Sequence, residues 1–353
     1  AYVNINDGQR DRLGLFGQWD GKLSEQWTLG GGVRIESVHM NAGDVQDYGC
    51  GMMCAEDAAA AMAFNASDRG RRDTNVDATL LGRFEAGEQL AYEIGIARKT
   101  RSPSLYERYT WGRGTMAMTM IGWFGDANGY VGDVHLKPEV AHTISATVDW
   151  HASRGDAWSL RVTPFYTQVQ DFIDADVIGS YPLGMMGGPT RLLLEFANHD
   201  AHLYGLNISG EAVVASSSTW GQTTVQGKLD WTRGQRNDGG DLYHIMPLNL
   251  TAAVVQAVAG LTARAELQAV ARKSRVDARR DEPTTAGYAL VNLKADYRFD
   301  NGLTLLAGVR NLLDRQYTPP LGGLNIAGYE TDGALTPVPG PGRAFEVGVS
   351  WKF

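Results

Sequence analysis

Most of the chain alternates apolar and polar residues with a period of two, the pattern of β-strands whose two faces meet different surroundings. Segment 143–150 follows this pattern, and so does the final segment 345–353. About thirteen such segments follow one another, and no long stretch has a helical period. The sequence therefore predicts an all-β protein with strands at 10–20, 26–38, 73–86, 89–101, 141–152, 157–173, 191–214, 221–234, 247–258, 261–273, 287–299, 302–312 and 343–353.

The polar face of these strands carries many charges, including Asp77, Arg83, Glu266 and Lys294. Unpaired ions in a dry core would cost several kcal/mol each, so a small soluble barrel is disfavoured. A wide barrel avoids that cost because its polar face lines a water-filled interior and its apolar face contacts lipid. Open sheet edges cannot exist in lipid, so we expect the strands to belong to a closed transmembrane antiparallel β-barrel.

The connections between these strands alternate strictly between short and long. The long ones are expected at 39–72, 102–140, 174–190, 235–246, 274–286 and 313–342. Outer-membrane barrels have short periplasmic turns and long extracellular loops, so the long connections are expected outside the cell. Tryptophans, which favour membrane interfaces, lie beside the short turns or the C-terminus at Trp19, Trp27, Trp150, Trp158, Trp220 and Trp351.

Composition excludes several other classes of protein. The 353 residues carry a formal net charge of -8, so the basic footprint of a nucleic-acid binder is missing. Two cysteines cannot form a disulfide framework, and no apolar run approaches the roughly 18 residues of a membrane helix. The sequence has no serine-hydrolase, zinc-protease or phosphate-loop motif, so we expect no enzyme activity and no enzyme cofactor.

Four segments resemble, in the same order, parts of the TonB-dependent outer-membrane receptors. They are 98–109, which contains Pro103, Ser104 and Leu105, followed by 136–139, 311–317 and 341–353. The resemblance implies a barrel of about 22 strands with an N-terminal plug domain inside it, coupled to the protein TonB. It also implies the outer membrane of a Gram-negative bacterium, with lipid and lipopolysaccharide as neighbours.

The chain departs from that pattern because it has no plug, no TonB-contacting segment and about nine strands too few. We therefore expect residues 1–353 to be a single unit, the C-terminal part of a receptor barrel. Segments 106–111, 120–131 and 136–139 are most similar to the copper-receptor branch of the family. That similarity implies uptake of copper powered through TonB.

A separate argument for copper comes from sulfur. All ten methionines and both cysteines fall within the predicted long connections, and thioether and thiolate sulfur select Cu(I). In an extended chain, Met116, Met118 and Met120 would share one face. The spacing of Cys50 and Cys54 favours a small disulfide over a ligand pair. The predicted metal ligands are His39, Met40, Cys50, Met52, Met53, Cys54, Met116, Met118, Met120, Met185 and Met186.

Two alternatives remain open at this point. A receptor for a siderophore or cobalamin would use aromatic and arginine side chains at its mouth, and the candidates are Arg108, Trp111, Arg113, Trp123, Phe124 and Tyr130. A passive porin or structural barrel would need no energy coupling. A copper receptor should retain copper when purified, whereas a ferric siderophore should rescue growth if the protein is a siderophore receptor.

Overall fold

A computed structural model of the chain describes residues 3–47, 49, 51–120, 124–153, 157–182, 190–329 and 334–352. Within these ranges, the side chains of Met53, Met116, Thr119 and Met120 are not described. Strand dominates, as the period-two pattern predicts.

Thirteen main strands form one antiparallel meander, in which each strand pairs with its neighbours in the chain. They are β1 (Gln9–Lys22), β2 (Trp27–Asn41), β3 (Arg71–Glu85), β4 (Leu90–Arg101), β6 (Glu139–His151), β7 (Trp158–Pro182), β8 (Thr190–Ser217), β9 (Gly221–Arg236), β10 (Asn249–Val258), β11 (Leu261–Val270), β12 (Tyr288–Arg298), β13 (Leu303–Arg310) and β16 (Ala344–Trp351). All thirteen predicted strands are confirmed. β1 and β16 end the order and do not pair with each other in the described part of the chain.

The two faces of the sheet differ as the alternation requires. Large apolar side chains point outward and are exposed; Leu267 is 40% exposed and Val347 is 84% exposed. The opposite face carries ion pairs such as Arg264 with Glu266, whose Nη2 and Oε2 atoms are 2.9 Å apart. An exposed apolar surface of this extent is what a lipid-facing barrel wall needs. Among the described residues, the buried apolar clusters lie mainly in the connections and at the strand ends beside them.

The short connections lie together at one end of the sheet. Trp150 and Trp158 flank one of them with ring centroids 4.9 Å apart. At another, Gly302 adopts a φ of +83°, a conformation that side chains other than glycine rarely allow. The indole of Trp351 donates a hydrogen bond to the carbonyl of Asn301 in this turn, at 3.1 Å. Indole rings at this end are consistent with a membrane interface.

The long connections contain structure that the sequence pattern did not predict. It consists of α1 (Ala55–Ala66), α2 (Leu105–Tyr109), α3 (Thr115–Met120), 3-10 turns at Gly51–Cys54 and Ala278–Arg280, and the short strands β5 (Gly129–Val131), β14 (Leu324–Asn325) and β15 (Thr336–Pro337). β5 pairs in parallel with β8, and β14 pairs with β15. Among the described residues, no helix is long and apolar enough to cross a lipid bilayer.

One predicted connection is largely strand instead. The segment 174–190 was expected to be a loop, but β7 continues to Pro182 and β8 begins at Thr190. The two strands stay paired from Phe172 with His199 up to Pro182 with Thr190, with register shifts after Val169 and after Val177. Their apolar residues in this part pack against other connections, which explains why the strands continue here.

Candidate functional site

The buried apolar residues of the molecule lie mainly in and under the long connections. We call one such cluster the loop core; it consists of Val38, Met40, Ala42, Val45, Cys54, Ala61, Phe64, Tyr109, Trp111, Ala117, Met118, Ala127, Val131 and Tyr181. Three predicted metal ligands, Met40, Cys54 and Met118, belong to it. The fold therefore brings sulfur atoms from three separate segments into one water-excluded region.

Met40 lies at the end of β2 and is fully buried, which corrects the prediction that every methionine is in a loop. Its sulfur accepts a hydrogen bond from Nη1 of Arg108 at 3.3 Å. Arg108 also donates to Oδ1 of Asp73 at 2.9 Å and to the carbonyl of Leu136 at 2.7 Å. A guanidinium beside the Met40 sulfur disfavours a metal cation at that atom, so Arg108 would have to move before this thioether could bind one.

His39 and Met40 were both predicted as metal ligands, but their side chains lie on opposite faces of β2. Successive side chains of a strand point to opposite faces. His39 is exposed on the outward face, where it pairs across the sheet with Asp11 and Arg72, while Met40 points inward. This imidazole therefore lies away from the loop core.

The methionines at 116, 118 and 120 lie in α3 and not in an extended segment. The prediction of one common face assumed an extended chain, and the helical backbone of α3 removes that premise. Met118 is 2% exposed and packs against Gly129 of β5, where any side chain on the glycine would overlap the sulfur. Close packing fixes this thioether inside the loop core.

Cys54 is buried and disulfide-bonded, so in this oxidation state its sulfur is not a thiolate ligand. Met52, two residues earlier, is 96% exposed. Cys50, Met185 and Met186 lie outside the described residues, and the positions of the Met53, Met116 and Met120 side chains do too. Within the described residues, no group of three or more histidine, cysteine or acidic side chains could hold a metal ion.

The sequence did not predict a cluster of charged side chains that surrounds the C-terminal half of β7. Asp174 is buried there; it accepts a hydrogen bond from Arg280, and its Oδ2 lies 3.3 Å from Arg279 and 3.5 Å from Arg236. The guanidinium of Arg280 lies over three aromatic rings, with centroid distances of 5.3, 5.5 and 4.7 Å to Phe124, Tyr130 and Tyr243. The cluster ties four connections together. Sequence reasoning missed it because Asp174 and Arg280 are 106 residues apart.

Several residues that were predicted to contact an organic ligand at the mouth are buried inside the molecule. Arg108 and Trp111 are buried, and Tyr130 is buried as well, with its hydroxyl donating to Oδ2 of Asp126 at 2.5 Å. Arg113 is more exposed and pairs with Glu195 at 2.6 Å. Three of the six predicted contacts, Arg108, Trp111 and Tyr130, are therefore buried inside the molecule. Trp123 lies outside the described residues.

The sheet, its exposed apolar face and the structured connections match one known kind of protein. A family model described as TonB dependent receptor-like, beta-barrel, matches residues 2–312. The chain belongs to this family of receptor barrels. The family resides in the outer membrane and consists of receptors and transporters, not enzymes. Both the resemblance and the partial barrel fold predicted from the sequence are thereby confirmed.

Solved structures of related receptors superpose on nearly the whole chain. The copper transporter OprC aligns over 98% of this chain and 50% of its own length, with a TM-score of 0.76 and 21% identity. The FrpB iron transporter from Neisseria meningitidis aligns over 100% and 47%, with a TM-score of 0.63 and 14% identity. The ferric-catecholate import receptor Fiu from E. coli K12 aligns over 98% and 45%, with a TM-score of 0.65 and 16% identity.

The receptor chain described here spans about half the length of those structures. At these identities the likeness shows the shared fold. A comparison with curated protein sequences found no match.

His244 gives the connections of the receptor a pH dependence that can be tested. Burial lowers the pKa of His244, whose ring stacks on Tyr243 with centroids 3.8 Å apart. Since the folded pKa lies below the unfolded value of about 6.5, the unfolded state binds more protons and stability falls as the pH drops through that value. We expect the loss of protease resistance between about pH 7.5 and about pH 5.5 to be smaller in His244→Gln. Equal slopes in the two proteins would exclude this role.

Proposed function

We propose that this receptor captures copper, preferably Cu(I), through sulfur atoms in its long connections and imports it with energy supplied through TonB. The observation that carries the proposal is the shared burial of Met40 and Met118 in the loop core. Thioethers are soft ligands that favour Cu(I) over Fe³⁺ or Zn²⁺. The copper transporter OprC has the highest TM-score of the three relatives compared above, which supports the same substrate.

The proposed ligands are those sulfur atoms that the fold can bring together. Met118 is the foremost because no cation lies beside its sulfur among the described contacts, whereas Met40 is engaged by Arg108. Met53, Met116, Met120, Met185 and Met186 stay predicted ligands, whereas the disulfide removes the cysteines from the set. His39 and Met52 are left out because the first faces outward and the second is 96% exposed.

We further propose that the long connections face the cell exterior and the short turns face the periplasm. The tryptophans beside the short turns support this orientation, because indole rings collect at membrane interfaces. Outer-membrane lipid and lipopolysaccharide would then contact the exposed apolar face of the sheet. TonB would act from the periplasmic side, and energy-dependent import would stop in cells that lack it.

Metal retention by the purified protein tests the substrate. The protein expressed from its complete gene should retain Cu(I) when offered Cu(I), Zn²⁺ and Fe³⁺ together. The triple replacement of Met116, Met118 and Met120 by alanine should weaken Cu(I) binding by roughly 10-fold or more, because losing a ligand costs at least as much as losing a residue that supports one. Competition with a colorimetric Cu(I) chelator measures the affinity.

The matched control removes two exposed methionines, Met52→Ala with Met62→Ala, of which the second is 68% exposed in α1. This control should bind copper as the native protein does. Equal retention by the native protein and the triple variant would exclude the α3 methionines as ligands. Retention of Fe³⁺ or Zn²⁺ in place of copper would exclude the proposed substrate.

Uptake of a chelated iron is the second candidate, because FrpB and Fiu are iron receptors with the same fold. A deletion strain complemented with this gene distinguishes the two. Growth on a ferric siderophore that depends on the gene, without any gene-dependent copper uptake, would favour the iron receptor. Uptake that continues without TonB would instead indicate a passive pore.

A further inference from the structure

Asp57 is a fully buried carboxylate in α1 that makes its described hydrogen bonds outside its own helix. Its Oδ1 atom accepts hydrogen bonds from the backbone nitrogens of Arg113 at 3.0 Å and Gly114 at 2.7 Å. Hydrogen bonds to a charged acceptor are about twice as strong as neutral ones, and burial strengthens them further. Asp57 therefore fixes the backbone directly before α3, although 57 residues separate it from Gly114.

Gly114 lies so close to this carboxylate that a side chain there would displace it. A Cβ atom there would lie 2.5 Å from Oδ2 of Asp57 and 2.8 Å from its Cγ. The carbonyl of Gly114 also accepts the hydrogen bond from the backbone nitrogen of Met118 at 3.1 Å, which forms the first turn of α3. The residue that Asp57 holds is thus the residue from which the methionine helix starts.

The other side of α3 is fixed by the sheet. Met118 packs against Gly129 of β5, and β5 is hydrogen-bonded to β8. The beginning of α1 is fixed as well, because disulfide-bonded Cys54 is the residue directly before it. The helix that carries Met116, Met118 and Met120 is therefore held between a carboxylate on one side and a strand on the other.

We propose that Asp57 is a positioning residue for metal capture, which holds α3 so that the sulfur of Met118 stays at the copper site. This inference rests on the proposed function. Residues that orient metal ligands typically change metal affinity by 10–100-fold when they are lost, even though they do not touch the ion. Asp57 acts through the backbone of α3 and does not itself bind copper.

The test compares Asp57→Ala, Asp57→Asn and Gly114→Ala in the protein expressed from its complete gene. Asp57→Ala removes the acceptor, and Gly114→Ala pushes it aside, so each should weaken Cu(I) binding by roughly 10-fold. Asp57→Asn keeps an oxygen that can accept both backbone hydrogen bonds, so it should recover most of the affinity. Glu56→Ala is the matched control, because Glu56 is the exposed acidic neighbour in the same helix turn.

X-ray absorption at the copper edge gives a readout that a purely structural role would not change. The native protein, Glu56→Ala and Asp57→Asn should show the same number of sulfur neighbours around copper, and Asp57→Ala should show fewer. Heat-modifiable migration on gels checks that each barrel is folded. If Asp57→Ala does not fold, Gly114→Ala decides the question by the same two measurements.

The outcomes separate this inference from the proposed function. A native protein that takes up no copper overturns both. Copper binding by the native protein with unchanged affinity and sulfur count in folded Asp57→Ala or Gly114→Ala overturns the role of Asp57 alone. A folded Asp57→Asn variant that binds Cu(I) as weakly as Asp57→Ala would show that the backbone hydrogen bonds do not position α3. That result would also overturn the role of Asp57.

Discussion

Replacing Arg108 by methionine should destabilise the loop core by about 3–5 kcal/mol, because it leaves the carboxylate of Asp73 buried without its cation. The side chains of Arg108 and Asp73 are 1% and 7% exposed, and 2.9 Å separates Nη2 from Oδ1. Protease cleavage of the long connections under native conditions measures the change. At about 1.4 kcal/mol per factor of ten, cleavage should accelerate by roughly 100-fold or more.

A second replacement tests that explanation. Exchanging a whole buried ion pair for apolar residues is often close to neutral, so Arg108→Met combined with Asp73→Leu should recover much of the lost stability. Arg113→Ala is the control from the same connection, because its partner Glu195 is 35% exposed and such surface pairs contribute about 0–1 kcal/mol. If the double variant is no more stable than the single one, the unpaired carboxylate is not the cause.

Introducing arginine at Val225 should impair insertion of the barrel, whereas arginine at the adjacent Gln226 should be tolerated. Val225 is 41% exposed on the outward face of β9, where it pairs with Val254 and Ala212. Arginine on a lipid-facing position near mid-membrane costs about 2–4 kcal/mol. Denaturant titration in lipid vesicles, read by heat-modifiable gel migration, should show a lower stability for Val225→Arg.

Gln226 is a stringent control because it directly follows Val225 in β9 and points to the opposite face of the sheet. Its amide donates to Glu211 at 3.1 Å and accepts from Arg264 at 2.5 Å, on the interior face of the sheet. Water screens charges there, so Gln226→Arg should change stability by about 1 kcal/mol or less. Equal losses at both positions, or a larger loss at Gln226, would mean that the outward face does not contact lipid.

The strands could be predicted because their signal is local and repeated. An apolar residue at every second position fixes which face of a strand meets lipid, and a shift by one residue would invert every side chain. The strand from Leu261 to Val270 shows this directly, since Leu267 is exposed outward and Glu266 pairs inward with Arg264. The end of β7 was misjudged because beyond the membrane the alternation reports packing against other connections, not contact with lipid.

The candidate site could be predicted only in part. Sulfur in the long connections indicated the region, but α3 is a helix of six residues, too short for periodicity to reveal. α1 is rich in alanine, the best helix former, and starts with Glu56 and Asp57; this signal was available and was overlooked. The partners of Arg108 and Asp57 lie far away in the chain, so no local pattern contains them.

The length of the paired strands β7 and β8 affects which part of the barrel wall a large particle in the medium contacts first. They contain 25 and 28 residues, whereas crossing a bilayer requires about nine to eleven. At about 3.3 Å per residue, roughly 50 Å of the length of β7 and roughly 60 Å of the length of β8 lie beyond the hydrocarbon. With this end outside the cell, as proposed, the hairpin stands among the sugar chains of the outer leaflet, and an antibody or a bacteriophage tail fibre would reach it before the rest of the barrel wall.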